Sequence, residues 1–393
     1  MKTSYNNNFQ FTNQQDASSY TPSEDGGTWY NIQNIDSIDS PALVVYKERV
    51  AENIRLLKSM VCDKVDHLRP HVKTNKIAEV CQMMLDAGIT KFKCATIAEA
   101  EMLALIKAPD VLLSYQPVGP KAERLFALIE KYPSTFFSCL VDNMDAAMHL
   151  SKIFSEKDQL LNVFIDINTG MNRTGILPSH ALQLFEAVDL LAYINVIGLH
   201  AYDGHIRDTD VSARKNNVDA AFSKVIILAE TIEAITKQSL IIVAGGSPTF
   251  PIHAERKDVE CSPGTFVFWD WGYKHGMPDE PFDYAALVIT RVISIVDEHT
   301  ITTDLGHKSV AAENPFPRVH FLNAPKATPI SQSEEHLVAK VPDASAFKIG
   351  DVLYGVPVHI CPTVALYERA IVIEDNSAVD EWKVIARDRR INI

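Results

Sequence analysis

The chain has 393 residues and a net charge of −13, from 37 Lys and Arg against 50 Asp and Glu. Its densest basic run is Arg387-Asp388-Arg389-Arg390, which argues against a nucleic-acid or anionic-membrane partner and for small-molecule ligands. The length accommodates one α/β barrel of about 250 residues plus a smaller second domain.

Residues 1–28 are a polar Asn, Gln, Ser and Thr mixture, expected to be a disordered tail and lacking the apolar core of a signal peptide. No run approaches the roughly 20 apolar residues of a membrane helix. The cysteines at 62, 81, 94, 139, 261 and 361 show no compact spacing, so they read as reduced thiols of a cytoplasmic protein.

A strand is predicted over residues 42–46. Eight short β-branched or apolar runs then alternate with helical patterns: 68–73, 91–96, 111–116, 136–142, 162–168, 194–200, 241–247 and about 259–267. Strands alternating with helices imply parallel pairing through right-handed crossovers, and eight with short connections imply closure into a barrel. After Asp270 strand-like runs such as 286–293 and 299–303 follow one another, which predicts an antiparallel β domain.

The chemistry-bearing residues fall at the ends of these runs. Lys73 closes the first, in Arg69-Pro70-His71-Val72-Lys73-Thr74-Asn75-Lys76, and a helical pattern through Ile77, Val80, Cys81, Met84 and Leu85 begins just after it. Strand-to-helix junctions are where α/β barrels keep their chemistry, although a lysine alone is ordinarily a surface residue. The fifth run leads into Asn168-Thr169-Gly170-Met171-Asn172-Arg173-Thr174-Gly175, and the sixth into Gly198-Leu199-His200-Ala201-Tyr202-Asp203-Gly204-His205. An aromatic with two imidazoles there reads as active-site wall, with His200 or His205 able to move protons near neutral pH. Gly245-Gly246-Ser247-Pro248-Thr249 and Ser262-Pro263-Gly264-Thr265 follow the seventh and eighth runs, where backbone amides and hydroxyls would cradle a phosphate. In Val358-His359-Ile360-Cys361 an i, i+2 spacing on an extended chain would put imidazole and thiolate on one face, as a metal needs. The plain alternatives are ordinary turns, an Arg173–Asp166 ion pair and a chance His-x-Cys pair.

These segments together resemble the family of D-threonine aldolases and eukaryotic-type D-serine dehydratases, pyridoxal-phosphate enzymes of alanine-racemase fold, from Trp29 onward. The resemblance implies a (β/α)8 TIM-like barrel over 47–272, a C-terminal antiparallel β domain over 273–393, and a segment 29–46 that joins the β domain. It makes Lys73 the residue that carries pyridoxal 5'-phosphate, with His71, Arg173, Tyr202, Gly245, Gly246, Ser247, Thr249, Gly264 and Thr265 around the cofactor and His205 as a catalytic candidate. Many relatives carry His where this chain has Asn75. His359 and Cys361 match the His-x-Cys pair that the dehydratases use for zinc, where the aldolases use His-x-Asp with manganese or a similar ion; the segments around 304–308 and 335–336 look closer to the aldolases. The implied function is a metal-dependent lyase of D-3-hydroxy-amino acids, D-threonine aldolase-like, in a homodimer. The alternative is a D-serine, D-threonine or 3-hydroxyaspartate dehydratase, and behind it a racemase or a non-catalytic pyridoxal-phosphate-binding protein.

Overall fold

The computed structural model describes residues 28–393; the tail expected over 1–28 lies, but for Thr28, outside them. Strand β1 (Ala42–Tyr46) leads straight into α1 (Lys47–Met60). Helix α2 (Ala78–Asp86) buries Val80, Cys81 and Met84, as their spacing predicts. The chain then alternates through β2 (Lys91–Cys94), α3 (Ile97–Leu105), β3 (Asp110–Leu113), α4 (Pro120–Lys131), β4 (Phe136–Val141), α5 (Met144–Ser155), β5 (Leu161–Ile167), α6 (Pro178–Asp189), β6 (Ile194–Ala201), α7 (Val211–Thr236), β7 (Ile241–Ala244), α8 (Phe250–Ala254) and β8 (Glu260–Cys261). Strands β2 to β8 form one parallel seven-stranded sheet in sequence order.

The expected first strand, 68–73, is not a continuous strand. It contacts both sheet edges through two isolated parallel bridges, Leu68 with Cys261 and His71 with Lys93. Arg69 N donates to Cys261 O (2.8 Å), His71 N to Pro263 O (2.9 Å) and Lys93 N to Pro70 O (2.9 Å). Pro70 accepts but has no N–H to donate, so the ladder is broken there while the ring is still closed. The eighth run is likewise shorter than expected, because Pro263 and Gly264 end β8 and residues 265–267 form a 3-10 turn.

Alternation along the strands sends every second residue into the barrel. Leu112, Leu140, Phe164 and Val243 pack there as an apolar layer. Gly198 makes room for it, since a Cβ at that position would lie 2.5 Å from Phe164 Cε1. Two residues further along the same strands the inward positions are Asp166 and His200, register partners in the β5–β6 ladder. Lys93, partner of inward Leu112, joins them from β2. The barrel is thus apolar at mid-height and polar toward the carboxyl ends of its strands.

After α9 (Trp271–Gly276) come β9 (Ala286–Asp297), β10 (Thr300–Thr303), β11 (Val319–Phe321), β12 (Thr328–Gln332), β13 (Leu337–Lys340), β14 (Val352–Pro357), the five-residue α10 (Ile360–Val364), β15 (Arg369–Glu374) and β16 (Ser377–Lys383). Their pairings are antiparallel, and β1 joins them between β9 and β15. Its β15 edge is the exception to the antiparallel expectation, being a parallel pair. Among the described residues no helix is long and apolar enough to cross a membrane.

At the amino end of the barrel, Arg69 is 1% exposed and holds Asp110 through two hydrogen bonds (2.6 and 2.9 Å) and Glu260 through a third (2.7 Å). This ties the closing segment to β3 and β8. Arg69→Met leaves two carboxylates facing each other without their shared cation, so it is expected to cost about 3–5 kcal/mol; a calorimetric melt unchanged from the parent would contradict that role.

Candidate active site

Lys73 lies in the turn just past the His71–Lys93 bridge, half-buried. Its Nζ stands 5.7 Å from the centroid of the Tyr202 ring, Lys93 Nζ stands 5.6 Å from it, and the Arg173 guanidinium carbon 5.0 Å. Three basic side chains around one ring make an electropositive mouth in a chain whose net charge is −13, a setting suited to an anionic ligand. Asp166 takes His200 as its partner, Oδ1 to Nδ1 at 2.6 Å, so the Arg173–Asp166 pair weighed from the sequence is not what fixes Arg173.

His71 is buried, and its ring is held between two groups. Lys73 N donates to Nδ1 (3.3 Å), and Nε2 lies 3.4 Å from Ser114 Oγ, which itself donates to Cys94 O (2.9 Å). Those contacts assign the proton to Nε2. Burial, then the nearby Lys73 and Lys93, push its pKa well below the ordinary histidine value, so His71 is neutral.

The two predicted phosphate-binding turns meet at one atom. Gly264 N (3.3 Å) and Thr265 N (3.1 Å) both donate to Ser247 Oγ. Neither glycine beside them tolerates a side chain: a Cβ on Gly246 would come within 2.9 Å of Tyr202 Cε2, and one on Gly264 within 2.7 Å of His71 O. Gly245 takes φ +80, which lets the chain leave β7 sharply. In the same turn Ser262 Oγ is buried without a hydrogen-bond partner among the described residues. Thr249 does not behave as a free donor. Its hydroxyl donates to Asp203 Oδ1 (2.7 Å) and accepts from Gly246 N (3.2 Å), while His253 Nε2 holds Asp203 Oδ2 at 2.8 Å. Thr249 therefore braces the turn against Asp203.

His205, expected to be catalytic, is exposed at the rim over Gly170, where a Cβ would lie 2.8 Å from its Nε2. The buried imidazole of that segment is His200. Its Nδ1 is held by Asp166, and its Nε2 lies 3.3 Å from Lys93 Nζ. Lys93 and Asp203 are the site residues that the motif reading left out. Lys93 was legible from alternation, since apolar Phe92 and Cys94 flank it in β2 and face the outer helices.

The His-x-Cys pair approaches from the second domain. His359 is extended, whereas Cys361 sits on the first turn of α10, so the pair is built from a strand-to-helix corner and not from the extended chain expected. The two side chains still hydrogen-bond to each other. Cys361 Sγ reaches the barrel turns of the same chain, 3.1 Å from Thr74 Oγ1 and 3.7 Å from Thr265 Oγ1. Burial raises the thiol pKa, but His359 outweighs it and holds Cys361 below the usual thiol range. Burial works against a charged His359, yet its hydrogen bonds to Cys361 and Glu313 lift it to about 10. Glu313 Oε1 lies 2.5 Å from His359 Nδ1, the carboxylate–imidazole arrangement that orients a metal-ligating histidine. No three His, Cys, Asp or Glu side chains among the described residues converge on one point. The pair is thus one protein ligand short of the three that a catalytic zinc site takes from its chain.

The unpartnered Ser262 hydroxyl beside the turns that meet at Ser247, the amine of Lys73 and the closely walled glycines fit a phosphorylated pyridine aldehyde. Comparison with known proteins agrees. The family described as "Alanine racemase, N-terminal domain" matches residues 45–270, and that described as "Putative serine dehydratase domain" matches 285–373. D-threonine aldolase from Arthrobacter sp. is 25% identical over 358 residues, 89% of this chain and 93% of that protein. D-threo-3-hydroxyaspartate dehydratase from Delftia sp. is 23% identical over 374 residues, 88% of this chain and 97% of that protein. The crystal structure of D-threonine aldolase from Filomicrobium marinum superposes with a TM-score of 0.83 at 25% identity, covering 92% of this chain and 98% of that one. With barrel and second domain both matched, the chain belongs to the alanine racemase N-terminal domain family, and within it to the pyridoxal-phosphate lyases of D-threonine aldolase and D-serine dehydratase type.

Proposed function

We propose that this protein cleaves D-threonine to glycine and acetaldehyde, as a lyase that carries pyridoxal 5'-phosphate on Lys73 and a divalent metal on His359 and Cys361. One observation carries the reading: Cys361 Sγ lies 3.1 Å from Thr74 Oγ1, in the very turn that presents Lys73, so a metal on the pair and a substrate on the amine would share one mouth. The cofactor supplies an electron sink for the pair left on Cα, and the metal a Lewis acid for the β-hydroxyl.

The chain's own groups do the placing. The turns of Ser247, Gly264 and Thr265 would receive the phosphate end, the two amides exchanging their present acceptor, Ser247 Oγ, for phosphate oxygens. Tyr202 walls the ring, and Arg173 stands beside it as a permanent cation. Neutral His71 packs under the Lys73 amide without adding charge to the cluster. Glu313 keeps the His359 ring turned toward Cys361.

A dehydratase giving a keto acid and ammonia is the second reading, and Cys361 favours it: a thiolate prefers zinc to manganese. The identity to the Arthrobacter aldolase, 25% against 23% for the Delftia dehydratase, supports the aldolase. The free state of all six cysteines supports a reducing cytoplasm, and a homodimer is the assembly we propose.

The deciding experiment loads the purified protein with pyridoxal phosphate and supplies D-threonine and D-serine with zinc or manganese. Glycine and acetaldehyde are expected; 2-oxobutyrate or pyruvate with ammonia would replace the aldolase by the dehydratase. Lys73→Ala should abolish the yellow colour of the bound cofactor together with turnover, and a coloured, active variant would refute the assignment. Glu313→Gln should weaken metal binding about 10–100-fold, read by chelator competition, while cofactor uptake stays intact.

A further inference from the structure

Lys93 has no place in the scheme above, yet it is 2% exposed in the interior of the barrel and aimed at the same ring as Lys73. No carboxylate among the described residues comes within salt-bridge distance of it. Its polar partner is His200 Nε2 at 3.3 Å, and because Asp166 Oδ1 takes the Nδ1 proton, Nε2 presents a lone pair to the amine. Burial and then Lys93 itself lower the pKa of His200, so that imidazole stays neutral. Burial, then Lys73 and Arg69, bring the Lys93 amine down to about 7 against the opposing pull of Asp166 and Asp203. A strand lysine could be buried more cheaply as Met or Leu; a buried, unpaired amine is the kind of group found where protons are moved.

We propose that Lys93 is the general acid that returns a proton to the α-carbon of the substrate, with His200 and Asp166 as its positioning residues, an inference that rests on the lyase reading above. In the aldol cleavage the β-hydroxyl loses its proton as the carbonyl forms, and the Cα–Cβ electron pair passes to the Cα side. The Lys93 ammonium gives one proton to Cα and regains one from water, which takes up the hydroxyl proton. The sum is D-threonine to glycine plus acetaldehyde, with no net proton and no oxidant.

The test uses the full chain with Lys93→Met and Lys93→Arg. Both should take up pyridoxal phosphate on Lys73 normally, and both should lose about 100-fold or more in kcat for D-threonine. Arginine fails as methionine does because a guanidinium holds its proton at neutral pH. Exchange of the α-hydrogens of glycine in heavy water should fall in parallel. In the cofactor-free protein, NMR of ε-13C-lysine, with the Lys93 signal identified by its loss in Lys93→Met, should show a titration midpoint near 7. A midpoint above about 9, or Lys93→Arg within threefold of the parent, overturns the proposal. If the parent cleaves no D-3-hydroxy amino acid the lyase reading falls, while glycine exchange and the titration still decide Lys93.

Discussion

Residues 68–72 hold the ring shut, and nearly everything of chemical interest hangs from them. One end is fastened by Arg69 between Asp110 and Glu260, and the other by the bridge from His71 to Lys93. Lys73 is the first residue past the fastened part. An amine that must meet a ligand to within a fraction of an ångström benefits from a rigid backbone on one side and a free turn on the other. The same bridge brings Lys93 next to Lys73, so closure of the barrel and juxtaposition of two amines are one event. Pro70 contributes by its lack of an N–H, which interrupts the ladder between the Leu68 and His71 bridges.

Electrostatics at the mouth follow from the burial pattern. Below the mouth the barrel is filled with Leu112, Leu140, Phe164 and Val243, which offer no solvation to a charge. Above them Lys73, Lys93 and Arg173 gather around Tyr202 with Asp166 and Asp203 nearby, each acid already engaged by a histidine. The mouth is therefore short of negative charge, which a phosphate and a substrate carboxylate would bring. Repulsion among the cations costs the protein stability before the ligand arrives and favours the ligand when it does.

What the sequence made legible was periodic or local. Alternation of apolar runs with helical spacing fixed the count of barrel staves, and Gly, Ser and Thr after β7 and β8 marked turns that do converge on Ser247. What it hid was long-range pairing. Thr249 reads as a donor until Asp203, from another loop, claims its proton. The sequence left His200 and His205 both open as proton carriers; β6 runs to Ala201, so only His200 inherits the inward side from Gly198, and His205 falls in the turn beyond. Lys93 was legible from the alternation of β2 once the strand is set in a closed ring, and no motif marks it. In a closed barrel its side faces the interior.

The choice between aldol cleavage and dehydration turns on geometry more than on which residues are present. Both reactions need an electron sink, a polarised β-hydroxyl and a group that exchanges a proton at Cα. They differ in which bond at Cα stands perpendicular to the plane of the sink when it breaks: the bond to Cβ in one, the bond to hydrogen in the other. That orientation would depend on where a metal held by His359 and Cys361 placed the hydroxyl relative to the amine, and the pair lies at a helix of five residues whose first turn rests against Thr74 and Thr265. Relatives of both activities match this chain over nearly its whole length, so what separates the two outcomes lies in local geometry at the mouth and not in the fold.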